Sequence, residues 1–172
     1  MFGDYPTDRF VGMMGEYGSW PGAVDPVLVA VELAQAVVGV GLATAPGHCH
    51  FCDASTADQG VGVNAHPVEL EFQAACAEAH RRQHLPPHAH LSAIAVDPFL
   101  RGSGVGQLVV RGLLERLAAA KVETTVLECL AARARFYESF GFRTLTDFAD
   151  AGAPGQRSVL MRFDHSRLIS TG

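Results

Sequence analysis

The amino-acid sequence predicts an α/β fold built on a mixed sheet. Two strand patterns, at 89–96 and 123–129, are each followed by a helix pattern, at 104–119 and 131–140. The chain has 172 residues, of which 48% are hydrophobic, and this is enough for a core of ordinary size. We therefore expect residues 1–172 to form a single domain.

Local patterns define the elements before the central strand. The β-prone runs 27–33 and 35–44 predict a hairpin, and Gly39 and Gly41 in its second strand indicate a bulge or a close neighbour. Residues 45–66 show no hydrophobic period and predict a loop.

A helix follows that loop, and two strands are expected to close the sheet. Proline suits a first helical position, so the helix is expected to start at Pro67 and to end within 81–84, before Pro86-Pro87. The runs 143–148 and 158–163 predict the closing strands.

The segment between strand 89–96 and the next helix is a candidate phosphate site. Asp97-Pro98 ends the strand, and three glycines follow before the helix is established. Glycines allow close approach of a ligand to the backbone, and the first amides of a helix have no internal acceptors. Arg101 adds a positive charge. The segment therefore predicts a phosphate at the helix N-terminus.

Two common phosphate motifs do not fit this segment. A Walker loop needs Lys and then Ser or Thr after its last glycine, and this chain has Gln107-Leu108 there. A dinucleotide fingerprint needs Gly-x-Gly-x-x-Gly, and the glycine after Gly106 is Gly112. The pattern that remains is Arg-x-x-Gly-x-Gly at Arg101, Gly104 and Gly106.

This pattern, after a strand ending Val-Asp-Pro, resembles the acyl-CoA pyrophosphate loop of the GNAT superfamily of N-acetyltransferases. A second resemblance lies in the run from Phe136 to Phe142, where in that superfamily a helix bearing a tyrosine ends at a Gly-Phe pair. Gly141 suits the left-handed position just past a helix, and Phe142 can fold back on the last turn. The two motifs together cover roughly the last half of the chain.

The resemblance implies the GNAT acyl-CoA N-acyltransferase fold, with a mixed central sheet splayed at the cofactor site. It also implies acetyl-CoA as cofactor, held by strand backbone, by the glycine turn and by a residue ahead of the tyrosine, where an asparagine often found in the superfamily is absent. The residues so implied are Ile94, Ala95, Val96, Arg101, Gly102, Ser103, Gly104, Val105, Gly106 and Arg133.

The implied activity is direct acetyl transfer from acetyl-CoA to a primary amine, expected to belong to a small molecule. Tyr137 matches the superfamily's proton donor to the leaving thiolate; the alternative is an aromatic packed on Phe140. Glu128 and His90 are the candidate bases for the amine. The alternatives are a solvated strand-end carboxylate and a histidine bonded to backbone. A non-catalytic module that binds CoA or a partner is the alternative function.

The residues before Val27 are too few for the superfamily's first strand and full pair of opening helices, so the fold is expected to be N-terminally short. Either the sheet ends early, or residues 1–20 substitute for the missing parts, or another chain covers the edge. An edge left bare would favour a homodimer.

Charge and composition limit the partners. The formal charge is −5 and the pI about 5.9, which argues against nucleic acid and anionic membranes. No run approaches the roughly 20 apolar residues of a membrane span. Asp4, Asp8 and Glu16 argue against a secretory signal. We expect a cytoplasmic protein with reduced cysteines.

Histidines and cysteines recur in the run His48-Cys49-His50-Phe51-Cys52. Cys49 and Cys52 have the spacing of a zinc knuckle, and His80 and His84 lie one helical turn apart. A second Cys-x-x-Cys is missing, so any metal site would need His48, His50 or the distant histidine pair. We expect a flexible loop over the cleft and no metal ligands. The other two cysteines, at 76 and 129, are expected in the core.

Overall fold

The structure, a computed structural model, describes residues 27–49, 51–52, 67–150 and 155–166. These residues form a six-stranded sheet with helices on both faces. The strands are β1 (Val27–Leu33), β2 (Ala36–Ala43), β3 (Ala89–Val96), β4 (Thr124–Leu130), β5 (Arg143–Ala149) and β6 (Arg157–Asp164). The helices are α1 (Pro67–Gln83), α2 (Val105–Ala119) and α3 (Ala134–Glu138), with 3₁₀ turns at Pro98–Leu100 and Ala131–Arg133.

The elements predicted from the sequence are confirmed to within about three residues at their ends. The largest difference concerns the tyrosine-bearing helix, expected over 131–140. Its first turn is the 3₁₀ helix Ala131–Arg133, and its regular part, α3, ends at Glu138. Gly141 then adopts a φ of 100°, which confirms the left-handed position expected just past this helix.

The sheet is split between its two central parallel strands. The strand order is β1-β2-β3-β4-β6-β5, and β3 pairs with β4 only at Ala89 with Thr125 and at His90 with Val126. Beyond these two pairs the strands carry no mutual pairing, and each stays bonded to its outer neighbour. This opening, called here the sheet split, confirms the expected splayed sheet.

A β-bulge lies in β3 beside the sheet split. Leu42 pairs with Ala93 and Ala43 with Leu91, so Ser92 is the extra residue. The bulge shifts the alternation of side chains along β3. Leu91 and Ile94 consequently both pack against the core on the α2 side of the sheet.

The two faces of the sheet are covered by different helices. On one face β2 approaches α2 closely: a Cβ on Gly41 would lie 2.4 Å from Cγ1 of Val109, which explains the glycine there. On the other face Ala79 of α1 packs with Val126 and Leu160 of the sheet.

The strands of the hairpin, β1 and β2, are joined by two residues with positive φ, Ala34 at 50° and Gln35 at 67°. The predicted shortening of the N-terminus falls on residues 1–26, which lie outside the described residues. Among the helices the structure describes, none is both long and apolar enough to cross a membrane.

Candidate active site

The phosphate loop, residues 101–106, is shaped by hydrogen bonds that reverse the chain after β3. The Asp97 carboxylate accepts a hydrogen bond from the Phe99 amide at 2.8 Å. Ser103 donates to the Leu100 carbonyl from its amide at 3.2 Å and from its hydroxyl at 2.6 Å. These bonds hold the turn so that α2 starts directly after Gly104.

The glycines of the phosphate loop satisfy backbone requirements that other residues meet poorly. Gly102 and Gly104 have φ values of 81° and 94°, in the left-handed region where a Cβ is strained. Arg101 is exposed beside them. An exposed helix N-terminus with a neighbouring arginine fits a phosphate, so these residues fit the pyrophosphate of an acyl-CoA.

The two candidate bases are hydrogen-bonded to each other at the sheet split. His90 is the last paired residue of β3, and Glu128 lies two residues beyond the last paired residue of β4. Nε2 of His90 is 2.7 Å from Oε2 of Glu128. The other carboxylate oxygen, Oε1, bonds to Nε2 of His80 on α1. The sequence analysis did not anticipate this role of His80.

Glu128 is not the solvated strand-end carboxylate considered from the sequence. Its side chain is only 5% exposed. Burial alone would raise the pKa of Glu128, but the charge of His90 and hydrogen bonds from His80 and His90 hold this pKa well below its usual range. The carboxyl group is therefore ionised at neutral pH.

The contact with Glu128 shifts the pKa of His80 upward, whereas it shifts that of Glu128 downward. Burial would lower the pKa of His80, but hydrogen bonds to Cys52 and Glu128 and the charges of both raise it to about 9. The ring is buried, with 2% of its surface exposed. A buried ionisable pair therefore joins α1 to β4.

The surroundings of His90 fix its ring. Nδ1 lies 3.0 Å from the hydroxyl oxygen of Ser92, the bulge residue. The ring of Phe51 meets it edge to face at 5.2 Å. The backbone amide of His90 donates to the Thr44 hydroxyl at 3.1 Å. The alternative considered from the sequence was a histidine bonded to backbone, whereas both ring nitrogens of His90 lie within hydrogen-bond distance of side chains.

Tyr137 lies on α3 and packs against the core on the α2 side of the sheet. Its ring contacts Phe136 at 5.0 Å and Phe142 at 5.9 Å, both edge to face. The sequence offered packing of Tyr137 on Phe140 as an alternative, but the ring recorded in contact with Phe140 is that of Phe136. Burial raises the pKa of the Tyr137 phenol above its ordinary value. The phenol therefore stays protonated at neutral pH.

The remaining predicted cofactor residues surround the sheet split. Ile94, Ala95 and Val96 form the end of β3 that has no partner on β4. A Cβ on Gly106 would contact Val96 and Phe136 at 3.6 Å, so the phosphate loop, β3 and α3 meet there. Arg133 is exposed and precedes α3.

A second cluster adjoins His80. Cys49, Cys52, His80 and His88, called here the four-residue cluster, bring one sulfur or nitrogen atom each to within 4.8 Å of one another. His88 precedes β3, and the sequence analysis missed it. His84 is exposed instead, because α1 ends at Gln83 and His84 has a φ of 45°.

The other residues that the sequence offered as possible metal ligands are not part of this cluster in the described structure. His48 is exposed, and His50 lies outside the described residues. The cysteine turn is closed by a hydrogen bond from the Cys52 amide to the Cys49 carbonyl at 2.9 Å. The expected loop over the cleft is thus packed, in its described part, against α1 and β3.

The pKa values of the two cysteines of the cluster are shifted in opposite directions. A hydrogen bond with Cys49 lowers the pKa of Cys52, and hydrogen bonds from His80 and His88 lower it further against the effect of burial. The bond with Cys52 and burial raise the pKa of Cys49. Cys76 and Cys129 are buried, which confirms their expected place in the core.

A split sheet beside a glycine-rich helix N-terminus defines the class of acyl-CoA-dependent transferases. The family model described as "Acetyltransferase (GNAT) family" matches residues 4–142. The chain therefore belongs to the GNAT family of acetyltransferases, which use acetyl-CoA as acetyl donor. No curated protein sequence matches the chain.

Solved structures with the same fold include acetyltransferases of several kinds. The ribosomal-protein-S18-alanine N-acetyltransferase of Escherichia coli has a TM-score of 0.55 and 16% identity, covering 93% of this chain and 77% of that one. A polyamine N-acetyltransferase of Drosophila melanogaster, which forms N-acetylagmatine, has a TM-score of 0.62 and 20% identity, covering 80% and 74%. Arylalkylamine N-acetyltransferase 2 of Aedes aegypti has a TM-score of 0.63 and 12% identity, and the match covers 80% of this chain and 73% of that one. At these identities the likeness shows the fold.

Proposed function

We propose that this protein transfers the acetyl group of acetyl-CoA directly to a primary amine of a small molecule. The observation that carries the proposal is the pair formed by His90 and Glu128, 2.7 Å apart at the sheet split. It brings a titratable nitrogen and a buried carboxylate to the point where β3 loses its partner.

The cofactor is assigned to residues on three elements. The phosphate loop, 101–106, binds the pyrophosphate through the first amides of α2, with Arg101 beside it. The backbone of 94–96 bonds the pantetheine arm in the place where a paired strand would lie. Arg133, exposed ahead of α3, binds another polar part of the cofactor. When bound, acetyl-CoA supplies an activated acetyl thioester.

The incoming amine needs a base, because an ammonium ion has no lone pair. We assign that role to His90. In its neutral form His90 donates the Nε2 hydrogen to Glu128, which leaves the Nδ1 lone pair on the side of Ser92. The amine proton passes to Nδ1, directly or through the Ser92 hydroxyl, while the Glu128 carboxylate stabilises the resulting imidazolium.

The leaving thiolate needs an acid, and we assign Tyr137 to it. Glu128 bonds to α1 on one side of the sheet, and Tyr137 packs on the α2 side. The base and the acid therefore approach the sheet split from opposite faces. The raised pKa keeps the phenol protonated at neutral pH, so it has a proton to pass to the thiolate as that group leaves the acetyl carbon.

The substrate class is supported by the names of structural neighbours. The Drosophila enzyme is named for polyamines and agmatine, and the Aedes enzyme for arylalkylamines. The formal charge of −5 suits a cationic substrate. The Escherichia coli neighbour is named for an alanine of ribosomal protein S18, so a peptide that starts with alanine is the appropriate competitor in a substrate panel.

Two measurements test the proposal. Acetyl-CoA at about 100 times its dissociation constant should add roughly 2.7 kcal/mol to the unfolding free energy. Free thiol release should then be followed with agmatine, polyamines, arylalkylamines and the peptide, and rapid turnover with one small amine is expected. No thermal shift would overturn the cofactor assignment. A shift with slow turnover on every acceptor would favour the non-catalytic CoA-binding module.

We propose further that the protein is a cytoplasmic homodimer. Among the described strands, β1 is at one edge of the sheet, and Leu28 and Leu33 on it are exposed. Sedimentation equilibrium checks the dimer, and a mass of one chain would contradict it.

A further inference from the structure

We propose that the four-residue cluster is a zinc site. Its donor atoms are Sγ of Cys49, Sγ of Cys52, Nδ1 of His80 and Nε2 of His88, all within 4.8 Å of one another. They come from the loop after β2, the last turn of α1 and the residues before β3. This site does not depend on the proposed acetyl transfer.

Three sulfur–nitrogen separations within the cluster match the edges of a zinc tetrahedron. Nδ1 of His80 is 3.7 Å from Sγ of Cys49 and 3.4 Å from Sγ of Cys52. Nε2 of His88 is 3.7 Å from Sγ of Cys52. Zinc bonds of about 2.3 Å to sulfur and about 2.05 Å to nitrogen place these atoms about 3.6 Å apart. The other three separations are also within 4.8 Å, so the four donor atoms already surround one common position for an ion.

Both histidines are oriented as metal ligands by their second nitrogen. Nδ1 of His88 is 2.7 Å from the Pro86 carbonyl oxygen and donates to it, so Nε2 carries the lone pair. Nε2 of His80 is bonded to the Glu128 carboxylate, so its Nδ1 faces the sulfurs. Hydrogen bonds to a carbonyl or carboxylate are the usual partners of zinc-bound histidines.

Charge and burial also suit a zinc ion. Zinc binds thiolates and neutral imidazoles, so its binding releases to solvent the thiol proton of Cys49 and any proton on Nδ1 of His80. The two thiolates then neutralise the double positive charge, which reduces the cost of burying the site. Cys49, His80 and His88 are each at most 3% exposed, whereas Cys52 is exposed and gives the ion an entrance. Two sulfur and two nitrogen donors favour zinc over magnesium or calcium, which prefer oxygen. Four protein ligands describe a structural site rather than a catalytic one.

Zinc would connect this site to the sheet split through one side chain. His80 binds the ion through its Nδ1 atom and is hydrogen-bonded to Glu128 through its Nε2 atom. The other oxygen of Glu128 bonds to His90. The ion thus fixes the ring that positions Glu128, and His80 is a positioning residue for the pair at the sheet split.

Metal analysis of the full chain tests the site. Protein purified without chelator or histidine tag should carry about one zinc ion per chain. Cobalt(II) added to the stripped protein should give the visible bands of tetrahedral coordination and the near-ultraviolet bands of thiolate ligation. Cys52→Ser should weaken zinc binding by more than the 10–100-fold typical of a lost outer-shell partner. Its exposed position favours normal folding.

His84→Gln is the matched control, because His84 lies one turn from His80 but is exposed. It should keep the zinc content and the cobalt spectrum of the parent. His88→Gln gives a second loss of ligand if Cys52→Ser does not fold. Three results would overturn the proposal: folded parent protein without zinc affinity, zinc bound equally well by both ligand variants, or a Cys49–Cys52 disulfide in place of the metal.

Discussion

His80 and His90 lie on different elements with their ring centroids 5.9 Å apart, and the carboxylate of Glu128 bonds to both. His80 belongs to the four-residue cluster, and His90 lies at the sheet split. One buried carboxylate therefore links the end of α1 to the two central strands. A substitution at any of these three residues should therefore alter the hydrogen bonding of the other two.

Glu128→Gln should reduce kcat/KM by about 10²–10⁴-fold. The two imidazoles bond to different oxygens of Glu128, and the amide replaces one of these acceptors by a donor NH₂ group, so one of the two hydrogen bonds is lost. The rate of thiol release with the best amine measures the loss. Glu123→Gln, just before β4 and exposed, is the control and should retain the parent rate. Full activity in folded Glu128→Gln would remove this carboxylate from the proposed mechanism.

Tyr137→Phe should lower kcat by about 10²–10⁴-fold, because only the hydroxyl is lost. Binding of acetyl-CoA, measured by calorimetry on the same variant, should stay close to that of the parent. An equal loss of binding and of turnover would indicate that the hydroxyl holds the cofactor rather than donating a proton.

The raised pKa of Tyr137 also predicts a stability change at alkaline pH. The folded chain holds this proton above the ordinary pKa of 10.0, where the unfolded chain releases it, so the unfolding free energy falls as pH rises past that value. Burial is the main cause, with Cys129 and Arg133 nearby acting in opposite directions. Urea unfolding of parent and Tyr137→Phe checks the difference. The variant should show a smaller fall, and parallel curves would contradict the assignment.

Gly106→Ala should weaken acetyl-CoA binding by about tenfold or more, equivalent to about 1.4 kcal/mol, with little loss of fold stability. The new Cβ makes ordinary contacts at 3.6 Å with Phe136 and Val96, where the phosphate loop, β3 and α3 meet, and it narrows the path proposed for the cofactor between the phosphate loop and the backbone of 94–96. Calorimetric titration measures the affinity.

Gly41→Ala is the comparison variant for Gly106→Ala, because it should lower fold stability and leave acetyl-CoA binding unchanged. Its Cβ would lie 2.4 Å from Val109 and 2.7 Å from Leu113, so the unfolding free energy should fall by about 1–3 kcal/mol. The folded fraction should bind acetyl-CoA normally. Equal behaviour of the two glycine variants would contradict both predictions.

Replacing Ala34-Gln35 by Asn-Gly should raise the unfolding free energy by about 1–2 kcal/mol. Both residues have positive φ, which is costly for residues with a Cβ, and Asn-Gly is preferred in two-residue hairpin turns. Chemical denaturation measures the gain, and the single change Ala34→Asn should give a smaller one. A decrease for the double variant would contradict this account of the turn.

Much of the fold could be predicted because its signals are local. Strand 89–96 ends at Asp97-Pro98, and the apolar repeat of α2 starts directly after the glycines, so neither depends on distant residues. The hairpin was predicted from its two β-prone runs alone. Its turn residues, Ala34 and Gln35, carry no sequence signal for positive φ.

The polar clusters could not be predicted fully, because they join residues far apart in the chain. His80 meets Glu128 across 48 positions, and Cys52 meets His88 across 36. Helical periodicity suggested His84 as the partner of His80, but α1 ends between them. The bulge at Ser92 changes the alternation of β3, so the face occupied by His90 could not be counted from the sequence.

The sheet split also determines which backbone amides exchange with solvent. Between His90 and Val96 the edge of β3 that faces β4 lacks a strand partner, while its other edge remains bonded to β2. Amide protons on the unpaired edge should exchange with deuterium much faster than their neighbours on the paired edge. Deuterium exchange along β3 therefore reports ligand binding, because a ligand that bonds to the unpaired edge slows the exchange of the amides on that edge only.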